Sequence, residues 1–411
     1  MTQGALIVTV LSIAAVFLVL TILIVAGKAW RELRDGWRRA RRRVLEPLIL
    51  KYAHGSDASI LPALGGAIAK RDRAVVETIL LDHVSRVRGI EHDRLCRALD
   101  ELGFVDRFLE NLRGSRWWER ALAAENLGLA SAARATAPLS ATLLDDVAEV
   151  RLRAAKALGL VGGRAAVLPL VNALTEPNRW STIRIADILT GMGGEVVKEL
   201  MDAYPSLNAH AKLAALDILG RIHSLEAVPW LLTRLDDPDA NVRARAAHAI
   251  GAIGVVDAAP ELRKALDDTA WPVRAMAAKA LGRARDLEAI PALCVALRDR
   301  EWWVRANAAE ALKLAGPPGL EALEWMLQDT DLYATHQACL MLQDAGVLDS
   351  RVAQLAGNDA LRSAAEAVVA RFVQAGQISR LRELAETHSE ATVRAALWRL
   401  LPQETRTGAA R

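Results

Sequence analysis

Between Asp237 and Gly316 the chain runs through one pattern three times: DPDANVRARAAHAIGAIG, DTAWPVRAMAAKALGRAR and DREWWVRANAAEALKLAG. Arg243, Arg274 and Arg305 lie 31 residues apart, as do Asp237, Asp268 and Asp299, and Pro229, Pro260 and Pro291. Gly251 and Gly282 keep the same beat. A fixed period of this length marks one supersecondary unit stacked on copies of itself, because a single unit cannot bury its apolar face alone.

Each unit reads as two helices. After the proline comes an apolar stretch at helical spacing (Pro260, Leu262, Ala265, Leu266), then a turn containing aspartate. A second helix follows, in which Val273, Met276, Ala277, Ala280 and Leu281 recur at the spacing of one helix face. Proline suits a first helical turn, where its missing N–H has no partner to lose. The alanine-dense second helices permit close approach of neighbouring pairs.

This unit resembles the HEAT repeat in its short bacterial, PBS-lyase-type form. The resemblance implies an all-α solenoid of stacked helix pairs with a period of about 31. It also implies a ladder in which the turn aspartate meets the second-helix arginine of its own or the next repeat. Asp145/Arg151, Asp237/Arg243, Asp268/Arg274 and Asp299/Arg305 are the pairs concerned. Aromatics make up 4% of the 411 residues, which suits stacked helices rather than a β-rich fold.

Five segments follow. Residues 1–27 carry no charged side chain, and Ala5–Ala26 is a 22-residue apolar run. At 1.5 Å per residue it reaches roughly 33 Å, enough for one transmembrane helix. A cleaved signal peptide would want a basic start and a shorter apolar stretch. Residues 28–43 form a basic juxtamembrane helix with eight Lys or Arg against Glu32 and Asp35. Trp30 and Trp37 are expected at the membrane interface, with Arg38, Arg39, Arg41, Arg42 and Arg43 facing anionic lipid headgroups. The positive flank places the N-terminus outside and everything after residue 28 in the cytoplasm, at the inner membrane.

Residues 44–113 read as an off-phase helical capping region, with helices at Glu46–Tyr52, Arg73–Val87, Glu91–Leu102 and Phe104–Leu112. Residues 114–402 are the repeat array, and 403–411 a disordered tail. Within the array the pattern loosens between 175 and 225. There Arg184 and Lys212 are the nearest equivalents of the ladder arginine, and Asn178 and Ser206 replace the turn aspartate. Further on, Thr335 replaces the arginine.

The whole chain carries a formal charge of +3. The juxtamembrane segment alone holds +6, so the remainder is net acidic, and nucleic acid is not an expected partner. Cys96, Cys294 and Cys339 are scattered without metal-like spacing and read as core residues. The eight histidines form no HExxH motif, and no CxxC is present. Gly191-Met192-Gly193-Gly194 has no strand before it and reads as a turn between helices rather than a phosphate loop. Iron hydroxylases among the HEAT proteins carry paired His-Glu dipeptides; here Glu91-His92 is the reverse. No catalytic, metal or cofactor set is therefore expected.

What remains is surface. The position five after each ladder arginine reads Glu125, Lys156, Asp217, His248, Lys279 and Glu310, a polar column on the second helices. Arg153, Lys156, Arg245, His248 and Lys279 are the candidate cationic contacts of a partner groove. Trp117, Trp271 and Trp302 each fall three residues before a ladder arginine, and in Trp117-Trp118 and Trp302-Trp303 one ring of each pair is expected to stay exposed as a binding anchor. The expected work is that of a membrane-anchored scaffold or adaptor for protein partners, such as an envelope or polysaccharide biosynthesis assembly. An enzyme of the HEAT-like lyase class working in the groove is the alternative, and a nucleic-acid-binding HEAT protein a more distant one.

Overall fold

A computed structural model describes residues 3–65, 68–175 and 182–402, leaving out the side chains of 3–16 and 19. The regular elements among the described residues are all helical. The chain divides into two compact units, Met1–Pro169 and Leu170–Arg411.

The first unit holds α1 (Gln3–His54), α2 (Arg73–Val84), α3 (Ile90–Glu101), α4 (Phe104–Asn111), α5 (Trp117–Leu129), α6 (Thr136–Thr142), α7 (Ala148–Val161) and the start of α8 (Arg164–Ala173). The second holds α9 (Thr182–Met192), α10 (Val197–Ala203), α11 (Ala209–Ile222), α12 (Val228–Thr233), α13 (Ala240–Ile253), α14 (Ala259–Lys264), α15 (Trp271–Ala284), α16 (Ile290–Ala296) and α17 (Trp302–Leu314). It continues with α18 (Pro317–Met326), α19 (Leu332–Asp344), α20 (Val347–Gln354), α21 (Asp359–Gln374), α22 (Ile378–Thr387) and α23 (Ala391–Leu400).

Stacking runs mainly between the second helices of successive repeats: α5 on α7 in the first unit, and α11, α13, α15 and α17 in sequence in the second. Small residues set the distance. A Cβ placed on Gly251 would lie 2.5 Å from the Cβ of Ala280, and one on Gly282 would lie 2.7 Å from the Cα of Ala311. Gly128 meets Ala157 and Gly220 meets Ala249 in the same way. The recurring glycine is thus a close-approach residue between neighbouring repeats. Helix ends use a different position: Gly254 and Gly316 have left-handed φ, and His223 and Arg285 adopt it without being glycine.

The ladder resolves into two kinds of bond. Arg120, Arg243 and Arg274 each reach back to their own turn and forward to the next repeat. Arg274 Nη1 donates to the carbonyls of Asp268 (2.9 Å) and Thr269 (3.2 Å). Its Nε and Nη2 form a fork on the carboxylate of Asp299 at 2.6 and 2.9 Å. Arg243 grips Asp268 likewise at 2.8 and 2.9 Å, and Arg120 grips Asp145 at 2.7 and 2.9 Å. The aspartate meanwhile accepts from the backbone N–H two residues on, as Asp268 does from Ala270. So the carboxylate serves the preceding repeat's arginine, and the arginine six residues on takes the backbone carbonyl.

The ladder stops where the sequence departs from pattern. Lys212 lies over the Tyr204 ring at 5.5 Å, Tyr204 meets Trp230 edge-on at 4.9 Å, and Arg234 covers Trp230 at 5.1 Å. Cation–aromatic stacking replaces the fork there. Ser206 bonds back to Ala203, and Asn208 caps α11 instead, accepting from Ala211 at 2.9 Å. Asn178 lies outside the described residues. At the far end Thr335 donates to the carbonyl of Asp329 at 3.1 Å, doing the short-range half of the arginine's work. Among the described residues Arg305 has no forward carboxylate, and it sits 4.6 Å from the Tyr333 ring.

The N-terminal segment differs from the reading of its sequence. The basic stretch and the expected short helix Glu46–Tyr52 belong to one continuous helix, α1, with Pro47 inside it. Leu45, Ile49 and Tyr52 are buried against α2 and α3, which holds the helix across the proline. Arg41 forms a fork on Asp72 at 2.9 and 2.6 Å, and Arg42 bonds Glu46 and Asp82. These two arginines, expected to face lipid, are instead the clasp between α1 and α2. Hydrogen bonds from Arg42 and His83 hold the Glu46 carboxyl down to about 2.

Of the 5–26 run expected to cross a membrane, most side chains lie outside the described set. Among the described residues no helix is long and apolar enough to cross a membrane. The tail 403–411 also lies outside the described residues.

Candidate functional site

Surface features that stacking leaves unexplained fall into two classes, exposed aromatic rings and charged groups on the outer faces of the second helices.

The rings stand at helix starts. Trp302 and Trp303 open α17, 51% and 56% exposed, and meet edge-on with centroids 4.7 Å apart. Trp271 opens α15, and Leu332 and Tyr333 open α19, 82% and 66% exposed. α15, α17 and α19 pack in sequence, so these first turns form one apolar edge of the second unit. Both rings of the tryptophan pair are exposed, where one was expected. Leu332 and Tyr333 escaped the sequence reading, although Tyr333 stands 31 residues after Trp302. The first unit has its own pair: Trp117 and Trp118, both exposed, 6.1 Å apart and nearly perpendicular, with Arg116 over Trp118 at 5.7 Å.

The acidic members of the polar column, Glu125, Asp217 and Glu310, are all paired with cations of the second helices. Arg153 bonds Glu125 and, at 2.8 Å, Glu149. Arg245 bonds Asp217 at 3.0 Å, Arg221 bonds Asp187 at 2.8 Å, and Lys313 bonds both Glu310 and Asp344 at 2.7 Å. Two of the expected partner-binding cations, Arg153 and Arg245, are therefore rungs of a second ladder between repeats. Lys156 and Lys279 are exposed. Arg153 and Lys156 line a groove of about 230 Å³ in the first unit, alongside Leu152 and Leu160.

In the second unit a groove of about 480 Å³ collects His210, Asp217, Arg221, Arg245 and His248 over a floor of Ile183, Ala186, Leu213 and Ala252. Burial is the main cause that holds the His248 imidazole below its ordinary value; Asp217 opposes it, and Arg283, Lys279 and Arg245 add to it. His210 Nε2 lies 2.8 Å from the Thr182 hydroxyl, but no carboxylate orients this imidazole among the described residues. That leaves the pair without the third member of a nucleophilic triad. The thiols are no better placed. Burial pushes Cys96 up to about 11 and Cys339 to about 12, away from the thiolate form. Among the described residues no group of three His, Cys, Asp or Glu could hold a metal ion. Gly193 is a left-handed residue just after α9, so the glycine cluster is a turn between helices.

On α1, Trp30 and Trp37 are exposed, as are Arg38, Arg39 and Arg43. Arg38 and Arg39 border a groove of about 570 Å³ floored by Val75, Leu81 and Leu122.

No curated protein matches the chain by sequence. Similar solved structures include an engineered protein, 20% identical, covering 72% of this chain and 97% of its own at a TM-score of 0.35. Kap121p is 14% identical at a TM-score of 0.44; the match covers 89% of this chain and 49% of Kap121p. The CpcE–CpcF complex of phycocyanin lyase from Nostoc sp. PCC7120 is 22% identical at a TM-score of 0.28, covering 59% of this chain and 94% of that one. The model of the HEAT repeats matches residues 105–188, 197–272 and 259–343, more than half of the chain. The stacked helix pairs and their glycine contacts have the same explanation: the chain belongs to the HEAT-repeat family.

Proposed function

We propose that this chain is a non-catalytic scaffold that docks protein partners on its repeat array while tethered to the inner membrane. The supporting observation is the edge formed by Trp271, Trp302, Trp303, Leu332 and Tyr333. Both residues of the 302–303 pair keep more than half of their surface outside the stack. Large exposed apolar rings gathered on one edge are what a protein interface uses as anchors. A repeat array adds an extended surface on which several contacts can act together.

The test is chemical cross-linking of the full chain in its native membranes beside the variant Trp302→Ala/Trp303→Ala. Both rings are exposed, so the variant should keep its melting temperature while its protein cross-links drop several-fold. Unchanged cross-links would remove the edge from the interface.

The tether rests on the apolar run 5–26 and the basic flank, with Trp30, Trp37, Arg38, Arg39 and Arg43 suited to an anionic interface. It would confine the array near membrane-associated partners, for example an assembly that builds envelope or polysaccharide, and raise their effective concentration. A reporter fused after Arg411 should be active on the cytoplasmic side. Activity on the opposite side would reverse the assigned topology.

A further inference from the structure

The two ladders account for most of the charge on the second helices α5, α7, α9, α11, α13, α15, α17 and α19, which makes the places they miss informative. α13 and α15 contain no acidic residue at all. Their ladder arginines, Arg243 and Arg274, are taken up by Asp268 and Asp299. The remaining basic groups are Arg245, His248, Lys279 and Arg283. Arg245 is bound to Asp217, whereas Lys279 and Arg283 are exposed and make no ion pair among the described residues. Both lie close enough to His248 to disfavour its charged form. On either side the outer face is neutralised, by Asp187 and Asp217 toward α9 and by Glu310 and Asp344 toward α19. A short positive stretch is thus bounded by acids: its Arg245 and His248 line the groove over Leu213, Ala214 and Ala252, and Lys279 and Arg283 lie beside His248 on α15.

We infer that the outer face of α11, α13 and α15 is the seat of an acidic, aliphatic-flanked segment of a partner protein, which rests on the protein-docking reading above. Lys279 and Arg283 supply charges for carboxylates, and the apolar floor receives the side chains between them. The groove favours a polypeptide over a nucleic acid for two reasons. A phosphate backbone needs positive charge along its whole track, and bases need aromatic platforms. Here the positive stretch ends within two helices, and no Phe, Tyr or Trp lines the groove. A carboxylate entering beside His248 would also raise the pKa of its imidazole. Asp217, Arg245, Lys279 and Arg283 are the charged groups that face this imidazole from its own helix and both neighbours.

The experiment measures binding of a short fluorescein-labelled peptide of alternating glutamate and leucine to the full chain. Three competitors are run beside it: the lysine–leucine counterpart, a single-stranded oligonucleotide and inorganic phosphate. The glutamate peptide should bind, weaken with added salt, and lose about tenfold in affinity in Lys279→Ala/Arg283→Ala. Its binding should raise the pKa of His248 in an NMR titration. Trp302→Ala/Trp303→Ala should retain the peptide affinity, so loss of partner cross-links there and loss of peptide here report on different surfaces. Equal binding to wild type and the Lys279/Arg283 variant would overturn the inference. So would tighter binding of the oligonucleotide, or full displacement by phosphate at equal concentration.

Discussion

Gly251→Leu is expected to force α13 and α15 apart and to destabilise the second unit by more than about 3 kcal/mol, beyond ordinary overpacking. Even a methyl at this position would lie 2.5 Å from the Cβ and 2.6 Å from the Cα of Ala280. The obstructing atoms are backbone and the first side-chain carbon, so no rotamer change makes room. The gain in helix propensity from replacing glycine, about 1 kcal/mol, cannot offset this. Gly36→Ala is the contrast. It too lies inside a helix, but nothing stands within 4 Å of its Cβ, so it should be neutral or mildly stabilising. Urea melts of the full chain in detergent measure the difference. Hydrogen exchange should locate the Gly251→Leu damage in α13 and α15, since repeats interact chiefly with their neighbours.

Arg274→Met should cost about 3–5 kcal/mol, the usual penalty for breaking a buried pair from one side. Arg274 and Asp299 are 11% and 12% exposed, and the arginine also satisfies the carbonyls of Asp268 and Thr269. Removing it leaves a buried carboxylate and two carbonyls without their donor. The effect is pH-dependent, with a definite sign. Burial works to raise the Asp299 carboxyl, but the Arg274 fork and the Glu301 N–H outweigh it, so its folded value lies below the ordinary one. The pair's contribution is therefore fully present above about pH 4, the unfolded value, and fades as pH falls through the folded one. In the variant the orphaned carboxylate gains by protonation. The stability gap between wild type and Arg274→Met should thus be widest at neutral pH and narrow in acid, measurable by urea melts across that range.

The repeat made much of this legible. A period of 31 located the second helices, the glycine contacts and both members of each ladder rung. It could not say which repeat's arginine met which aspartate, because Asp268 is six residues before Arg274 and 25 after Arg243. Only packing decides that the first contact is to a carbonyl and the second to a carboxylate. The second ladder was within reach: Glu125 to Arg153 and Asp217 to Arg245 share a spacing of 28. Arg153 and Arg245, expected to contact a partner, find their acids one repeat away, where the pattern of a single helix does not reach.

Arg41 and Arg42 were illegible for a different reason. A run of arginines beside an apolar stretch carries a strong membrane signal. The partners of Arg41 and Arg42, at Asp72 and Asp82, lie in an off-phase region with no periodic counterpart to reveal them. The aromatic edge was half visible, since tryptophan marks a repeat start by eye whereas Leu332-Tyr333 does not.

The central claim is that the work of this chain is done by surfaces the stack does not require. A photoreactive amino acid in place of Trp303, Lys279 or Lys264, in the full chain within native membranes, tests it directly. Discrete polypeptide adducts are expected from positions 303 and 279 and few from 264, which is exposed on the first helix of its repeat. Adducts confined to position 264, or to nucleic acid, would contradict it.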